Sequence, residues 1–143
     1  MSLAADKVDI LYLEDDEVDI QSVERVFHKI SSLIKIEIAK SGNQALDMLY
    51  GRNKENKIHP KLILLDINIP KMNGIEFLKE LRDDSSFTDI EVFVLTAAYT
   101  SKDKLAFESL NIRGHLIKPL DYGEAIKLFW ILQSMEGHHH HHH

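Results

Sequence analysis

The chain has 143 residues, no cysteine, and 17 basic against 23 acidic residues, for a formal charge of −6. The missing thiol excludes disulfides, thiolate metal centres and cysteine catalysis, and the acidic balance argues against direct binding of nucleic acid. No apolar run approaches the roughly 18 residues of a membrane span, so a cytoplasmic protein without a membrane partner is expected. The first three residues read as an expression scar, and 136–143, ending in six histidines, as a purification tag. That leaves one domain over 4–135, large enough to build its own core.

The first apolar run, 8–13, predicts a buried strand that ends in Glu14, Asp15 and Asp16. Asp16 is placed to cap a helix carrying Ile20, Val23, Phe27 and Ile30 at helical spacing. The run 34–39 alternates strictly, with Ile34, Ile36 and Ile38 on one face and Lys35 and Glu37 on the other. Such a half-exposed strand belongs at a sheet edge. Ser41 with Gln44 opens the next helix, because a cap residue and an acid or amide three positions on can satisfy free N–H groups reciprocally. The polar stretch 51–60 reads as a surface loop.

The run 62–65 predicts a buried strand ending in Asp66. Asn73 with Glu76 opens a helix bearing Ile75, Leu78 and Leu81. The run 90–95 ends in Thr96, and Thr100 with Asp103 starts the following helix. A weaker run, 115–117, leads to Lys118 and Pro119, and Asp121 with Glu124 opens the last helix. On that helix Ala125, Leu128, Phe129 and Leu132 share the face turned to the sheet. Ile126 and Trp130 fall well away from it and predict a partner contact, a homodimer being the expected form.

Strand and helix alternating in this way predict an α/β, doubly wound (βα)5 fold of the flavodoxin-like kind, with a five-stranded parallel sheet. Function in such a sheet gathers at the carboxyl ends of the strands. Four of those ends carry chemistry: the acids after strand 1, Asp66 after strand 3, Thr96 after strand 4 and Lys118 after strand 5. The second strand ends without a comparable group, which fits the order 2-1-3-4-5. Crowded carboxylates repel one another, and a hard cation relieves this; oxygen-only ligands favour Mg²⁺ or Mn²⁺. A cation, a lysine and a threonine hydroxyl around one carboxylate suit phosphoryl transfer, with the carboxylate as nucleophile. Taken singly, each residue has an ordinary explanation as a cap, turn or loop residue; the combination, in this chain order, is what carries the reading.

Segments 10–16 (ILYLEDD), 64–74 (LLDINIPKMNG), 94–97 (VLTA) and 118–120 (KPL) together resemble the receiver domain of bacterial two-component response regulators. The resemblance spans essentially the whole domain. It implies that Asp66 is the phosphoryl acceptor and that Asp15 binds Mg²⁺ directly, with Glu14 acting through water. It further implies that Asn68 offers its backbone carbonyl to the metal, that Thr96 bonds the phosphoryl group, and that Lys118 pairs with Asp66 or its phosphate. Asp16 falls one position beyond the usual acidic pair and is read as a helix cap. Pro70 and Gly74 would shape the loop after the acceptor, and the Lys118–Pro119 bond would be cis. The family often has Tyr or Phe three positions before the lysine, where this chain has His115. That places the usual aromatic–threonine coupling in doubt and leaves His115 either a plain edge-strand residue or a switch.

The implied role is a signalling domain, not an enzyme in the ordinary sense. A sensor histidine kinase or phosphotransfer protein would donate the phosphoryl group. The signal would leave through helix 4, strand 5 and helix 5. The loop 51–60 and the Phe129-Trp130 pair resemble stand-alone regulators that work with phytochrome-type kinases. No output domain is expected, and both a native single-domain protein and a piece of a larger regulator fit. Three alternatives are weaker. An aspartyl phosphatase would want a second Asp where Asn68 stands. A flavin or nucleotide binder would want a phosphate-cradling loop where three acids stand. A receiver that is never phosphorylated would not need the intact set of Glu14, Asp15, Asp66, Thr96 and Lys118.

Overall fold

Strand and helix alternate throughout the computed structural model, which describes residues 4–69 and 74–138. The elements are β1 (Asp6–Leu13), α1 (Glu17–Ile30), β2 (Ile36–Ala39), α2 (Gly42–Tyr50), β3 (Ile58–Leu65), α3 (Gly74–Asp83), β4 (Glu91–Thr96), α4 (Ser101–Phe107), β5 (Gly114–Ile117) and α5 (Tyr122–His138). A single 3₁₀ turn, Ser85–Phe87, joins α3 to β4. All neighbouring strands pair in parallel, in the order β2-β1-β3-β4-β5. The expected fold and strand order are both present, with the alternating strand β2 at an edge.

Two cores follow from the period-2 alternation of side chains along the central strands. Leu11, Leu13, Ile63 and Leu65 point to one face and pack with Leu49 of α2, with Phe77, Leu78 and Leu81 of α3, and with Phe107 of α4. Ile10, Tyr12, Leu62 and Leu64 point to the other and pack with Ile20, Val23 and Phe27 of α1 and Leu128 and Leu132 of α5. β1 and β3 are therefore apolar on both faces, which is why their sequences show no polar alternation over these residues.

The helix starts are built by the residues the sequence marked. Asp16 accepts from the Val18 amide at 2.8 Å, and Ser41 Oγ accepts from the Gln44 amide at 3.0 Å. The Gln44 side chain reaches one residue further out than a reciprocal box requires, to the Lys40 amide at 2.8 Å. Thr100 and Asp103 form a complete reciprocal box, and Asp121 accepts from the Glu124 amide at 2.8 Å. Asn73 and Pro70 lie outside the described residues. Helix α2 stops at Gly51, whose φ of +70° and close approach to Lys57, 2.7 Å from where a Cβ would sit, leave room only for glycine.

Two features depart from the sequence reading. The loop expected over 51–60 is shorter, because Ile58, His59 and Pro60 already pair with Asp6, Lys7 and Val8 of β1. Pro60 argues against a strand on propensity, yet at this outer end of β3 it is buried and paired. The other is Arg82 on α3. Its guanidinium donates to the carbonyls of Leu110 at 3.2 Å, Ile90 at 3.1 Å and Asn111 at 2.9 Å. One side chain thus satisfies three backbone acceptors and ties α3 to the segment before β5. Among the described residues, no helix is long and apolar enough to cross a membrane.

Candidate functional site

Among the described residues, the buried polar and charged ones are Glu14, Asp66 and Thr96. They stand at the carboxyl ends of β1, β3 and β4, three neighbouring strands. Burial of such groups is costly unless they are bonded, and here each one is. Lys118, just past β5, donates to Glu14 Oε1 at 2.6 Å, to Asp66 Oδ2 at 2.7 Å and to Asp19 Oδ2 at 2.8 Å. The other Asp66 oxygen accepts from the Asn68 amide at 2.9 Å. Tyr12 donates its hydroxyl to Glu14 Oε1 at 3.0 Å, and the Asp16 amide donates to Glu14 Oε2 at 3.3 Å. Thr96 Oγ1 accepts from the Asn68 side-chain amide at 3.1 Å.

The electrostatics follow from this packing. Burial raises the pKa of Glu14, with Lys118 opposing the shift and Asp66 adding to it. Burial by itself would lower Lys118, but its bonds to Asp19, Asp66 and Glu14 outweigh that and hold the ammonium firmly protonated. Burial, with Glu14 next to it, also raises Tyr12 far above its usual range. One cation thus serves three carboxylates, and negative charge remains in excess.

The sequence-predicted residues fall into three groups. Glu14, Asp66, Asn68, Thr96 and Lys118 are brought into one bonded network. Asp15 is exposed next to it, Asp16 caps α1, and Gly74 begins α3 as a buried residue. The Lys118–Pro119 peptide bond is cis. His115 sits exposed on the edge strand β5, away from the network, and stacks on Tyr99 with ring centroids 4.1 Å apart. A cleft of about 430 Å³ opens beside this stack, lined also by Phe107, Ile112 and Lys104. Ile126 is half-buried and Trp130 is 64 % exposed on α5, its ring edge-on to Phe129.

Sequence reasoning missed Tyr12, Asp19 and Tyr99. Tyr12 was accessible in principle, because it lies two positions before Glu14 on one strand and therefore on the same side of the sheet. Asp19 lies in the first turn of α1, and nothing in its spacing distinguishes it from an ordinary solvated acid. Among the described residues, no three acidic or histidine side chains already surround a metal-sized point; the Lys118 ammonium occupies the centre of the carboxylate group instead. The donor chemistry nevertheless fits a hard cation. It is oxygen only, Asp15 is exposed, and one Asp66 oxygen accepts only the Asn68 amide among the described residues.

Residues 10–129 match the response regulator receiver domain family. The chain belongs to that family. The receiver is 30 % identical over 134 residues to the probable methanogenesis regulatory protein FilR2 of Methanothrix harundinacea, covering 90 % of this chain and 86 % of that one. It is 30 % identical over 126 residues to response regulator Rcp1 of Synechocystis, covering 87 % and 86 %. The Mn²⁺-bound form of Rcp1 superposes with a TM-score of 0.65 over 90 % of this chain and 91 % of that one, at 30 % identity. The phosphorylated cyanobacterial phytochrome response regulator RcpA, 25 % identical, superposes with a TM-score of 0.66 over 93 % and 92 % of the two chains. Receiver domains are signalling domains of two-component systems, and neither the phosphatase nor the nucleotide-binding alternative is favoured for this receiver.

Proposed function

We propose that this receiver takes a phosphoryl group onto Asp66 from the phosphohistidine of a sensor histidine kinase or phosphotransfer protein. The observation that carries the reading is the ion pair between Lys118 and Asp66, made where the ends of three neighbouring strands converge. A carboxylate oxygen of Asp66 attacks phosphorus, the P–N bond to the donor imidazole breaks, and the imidazole nitrogen keeps the electron pair. Lys118 stabilises the charge that develops on the phosphoryl oxygens. Thr96 accepts its present bond from Asn68, so its own hydroxyl proton remains available to a phosphoryl oxygen. Asp15, Asp66 and the Asn68 carbonyl would hold Mg²⁺ or Mn²⁺, with Glu14 acting through water; the bound cation would supply charge neutralisation.

Titrating acetyl phosphate with and without Mg²⁺, for wild type and Asp66→Asn, tests the acceptor. Labelling that needs both the cation and Asp66 supports it, and undiminished labelling of Asp66→Asn overturns it. The same reading expects Asp15→Asn to weaken Mg²⁺ binding far more than Asp16→Asn, because the Asp16 carboxylate is engaged in capping α1.

The output surface is the face made by α4, β5 and α5. Leu105, Ile117, Tyr122 and Trp130, one or more from each of these elements, are large apolar side chains left exposed. A homodimer through Ile126 and Trp130 is the proposed use of that face, and a phytochrome-type kinase, given the resemblance to RcpA and Rcp1, is the proposed donor. No direct contact with nucleic acid is proposed.

A further inference from the structure

An ammonium group has three N–H donors, and Lys118 commits all three to carboxylates on different parts of the chain. Glu14 ends β1, Asp66 ends β3, and Asp19 belongs to the first turn of α1. The Glu14 and Asp66 side chains are buried, whereas the Asp19 side chain is partly exposed at the rim. Resting on the reading of Asp66 as acceptor, we propose that Asp19 is a positioning residue for Lys118. It is the second fixed leg of a tripod whose third leg follows the reacting group.

When a carboxylate oxygen of Asp66 bonds to phosphorus, the Asp66 carboxylate loses its charge, and negative charge gathers on the phosphoryl oxygens instead. With acetyl phosphate as donor, the new Asp66 O–P bond forms as the P–O bond to acetate breaks. Acetate leaves as an anion with the bonding pair, so no proton is required. The Lys118 N–H now given to Asp66 passes to a phosphoryl oxygen, while the N–H groups given to Glu14 and Asp19 stay where they are. Two anchored donors fix both the position of the nitrogen and the direction of the third. With Glu14 alone, the ammonium swivels about one contact and spends less time aimed at the phosphoryl group. Asp19 does not touch the reacting atoms; it acts through Lys118. Its own place is set by helix α1, whose start is organised by the Asp16 cap, including a bond from the Asp19 amide to Asp16 at 3.4 Å.

The test uses the full chain as wild type, Asp19→Asn and Asp19→Ala, with acetyl phosphate at saturating concentration and Mg²⁺ titrated. The tripod predicts that both variants lower the maximal rate of Asp66 phosphorylation about threefold to fivefold, the loss expected for one partly screened charged contact, with an unchanged half-saturating Mg²⁺ concentration. In the unphosphorylated proteins, ¹⁵N-detected exchange of the Lys118 ammonium protons is predicted to be about threefold to fivefold faster in both variants. Unchanged ammonium exchange overturns the proposal, because Asp19 would then not hold Lys118. So does an unchanged maximal rate, or a slowing that appears only as weaker Mg²⁺ half-saturation. If wild type itself takes no phosphoryl group, it is the acceptor reading that fails, and the exchange measurement still decides whether Asp19 anchors the ammonium.

Discussion

Replacing Lys118 with methionine keeps most of the volume and removes the cation that, among the described residues, holds the network together. Its three partners differ in how much this costs. Glu14 and Asp66 retain 2 % and 8 % of their side-chain exposure, so each loses a charge-assisted bond that water cannot replace. Asp19 retains 36 % and is largely screened, so its bond is worth at most about 1 kcal/mol. Stranding two buried carboxylates is expected to cost about 3–5 kcal/mol, which for a domain of this size lowers Tm by roughly 10–18 °C. The penalty also depends on pH. Burial already raises Glu14, and without the ammonium it is raised further. A carboxyl group whose folded pKa lies above its unfolded value gives stability at low pH that is lost as pH rises through the folded value. Lys118→Met is therefore closest to wild type near about pH 5 and furthest from it near pH 8. Urea denaturation of both proteins across that range, without divalent cation, measures the difference. A penalty below about 1 kcal/mol, or one that grows on acidification, would refute the reasoning.

Three other outcomes follow from the same structure. Tyr12 and Lys118 both keep their protons in the fold at pH values where the unfolded chain loses them, so stability falls above about pH 10. Tyr12→Phe removes one of the two groups, and its stability should decline by about 1.4 kcal/mol less per pH unit there, as alkaline denaturation followed by circular dichroism will show. Thr96→Ala is expected to accept a phosphoryl group yet transmit less of it, so amide shifts around Tyr99 and His115 on phosphorylation should shrink by about half or more relative to wild type; equal shifts would remove Thr96 as the relay. Trp130→Ala is expected to weaken self-association at least about tenfold by sedimentation, and a wild type that stays monomeric with and without beryllofluoride would remove the homodimer.

Much of this was legible in the sequence because the signals were local. Caps at Asp16, Ser41, Thr100 and Asp121 need only a side chain and an amide two or three residues on. Continuous apolar runs at β1, β3 and β4, against the alternation at β2, are enough to place the edge. The less legible features are those in which distant segments meet. Arg82 looks like any surface arginine until three carbonyls from two loops converge on it. Asp19 looks like a solvated helix acid until Lys118, 99 residues away in the chain, reaches it. His115 occupies the position where the family often has an aromatic residue, but its stacking partner, Tyr99, comes from the loop after β4 and has no spacing rule to announce it. The extension of β3 back to Ile58 was hidden by Pro60, whose unfavourable propensity is outweighed by pairing along β1.

The most direct test of the central claim is to locate the modified residue. The receiver would be phosphorylated with acetyl phosphate and Mg²⁺, treated with borohydride to reduce the acyl phosphate, digested, and sequenced by mass spectrometry. Reduction to homoserine is expected at position 66 alone, and is absent when Mg²⁺ is chelated. A reduced or phosphorylated residue elsewhere, with Asp66 intact under conditions that modify the protein, would contradict it.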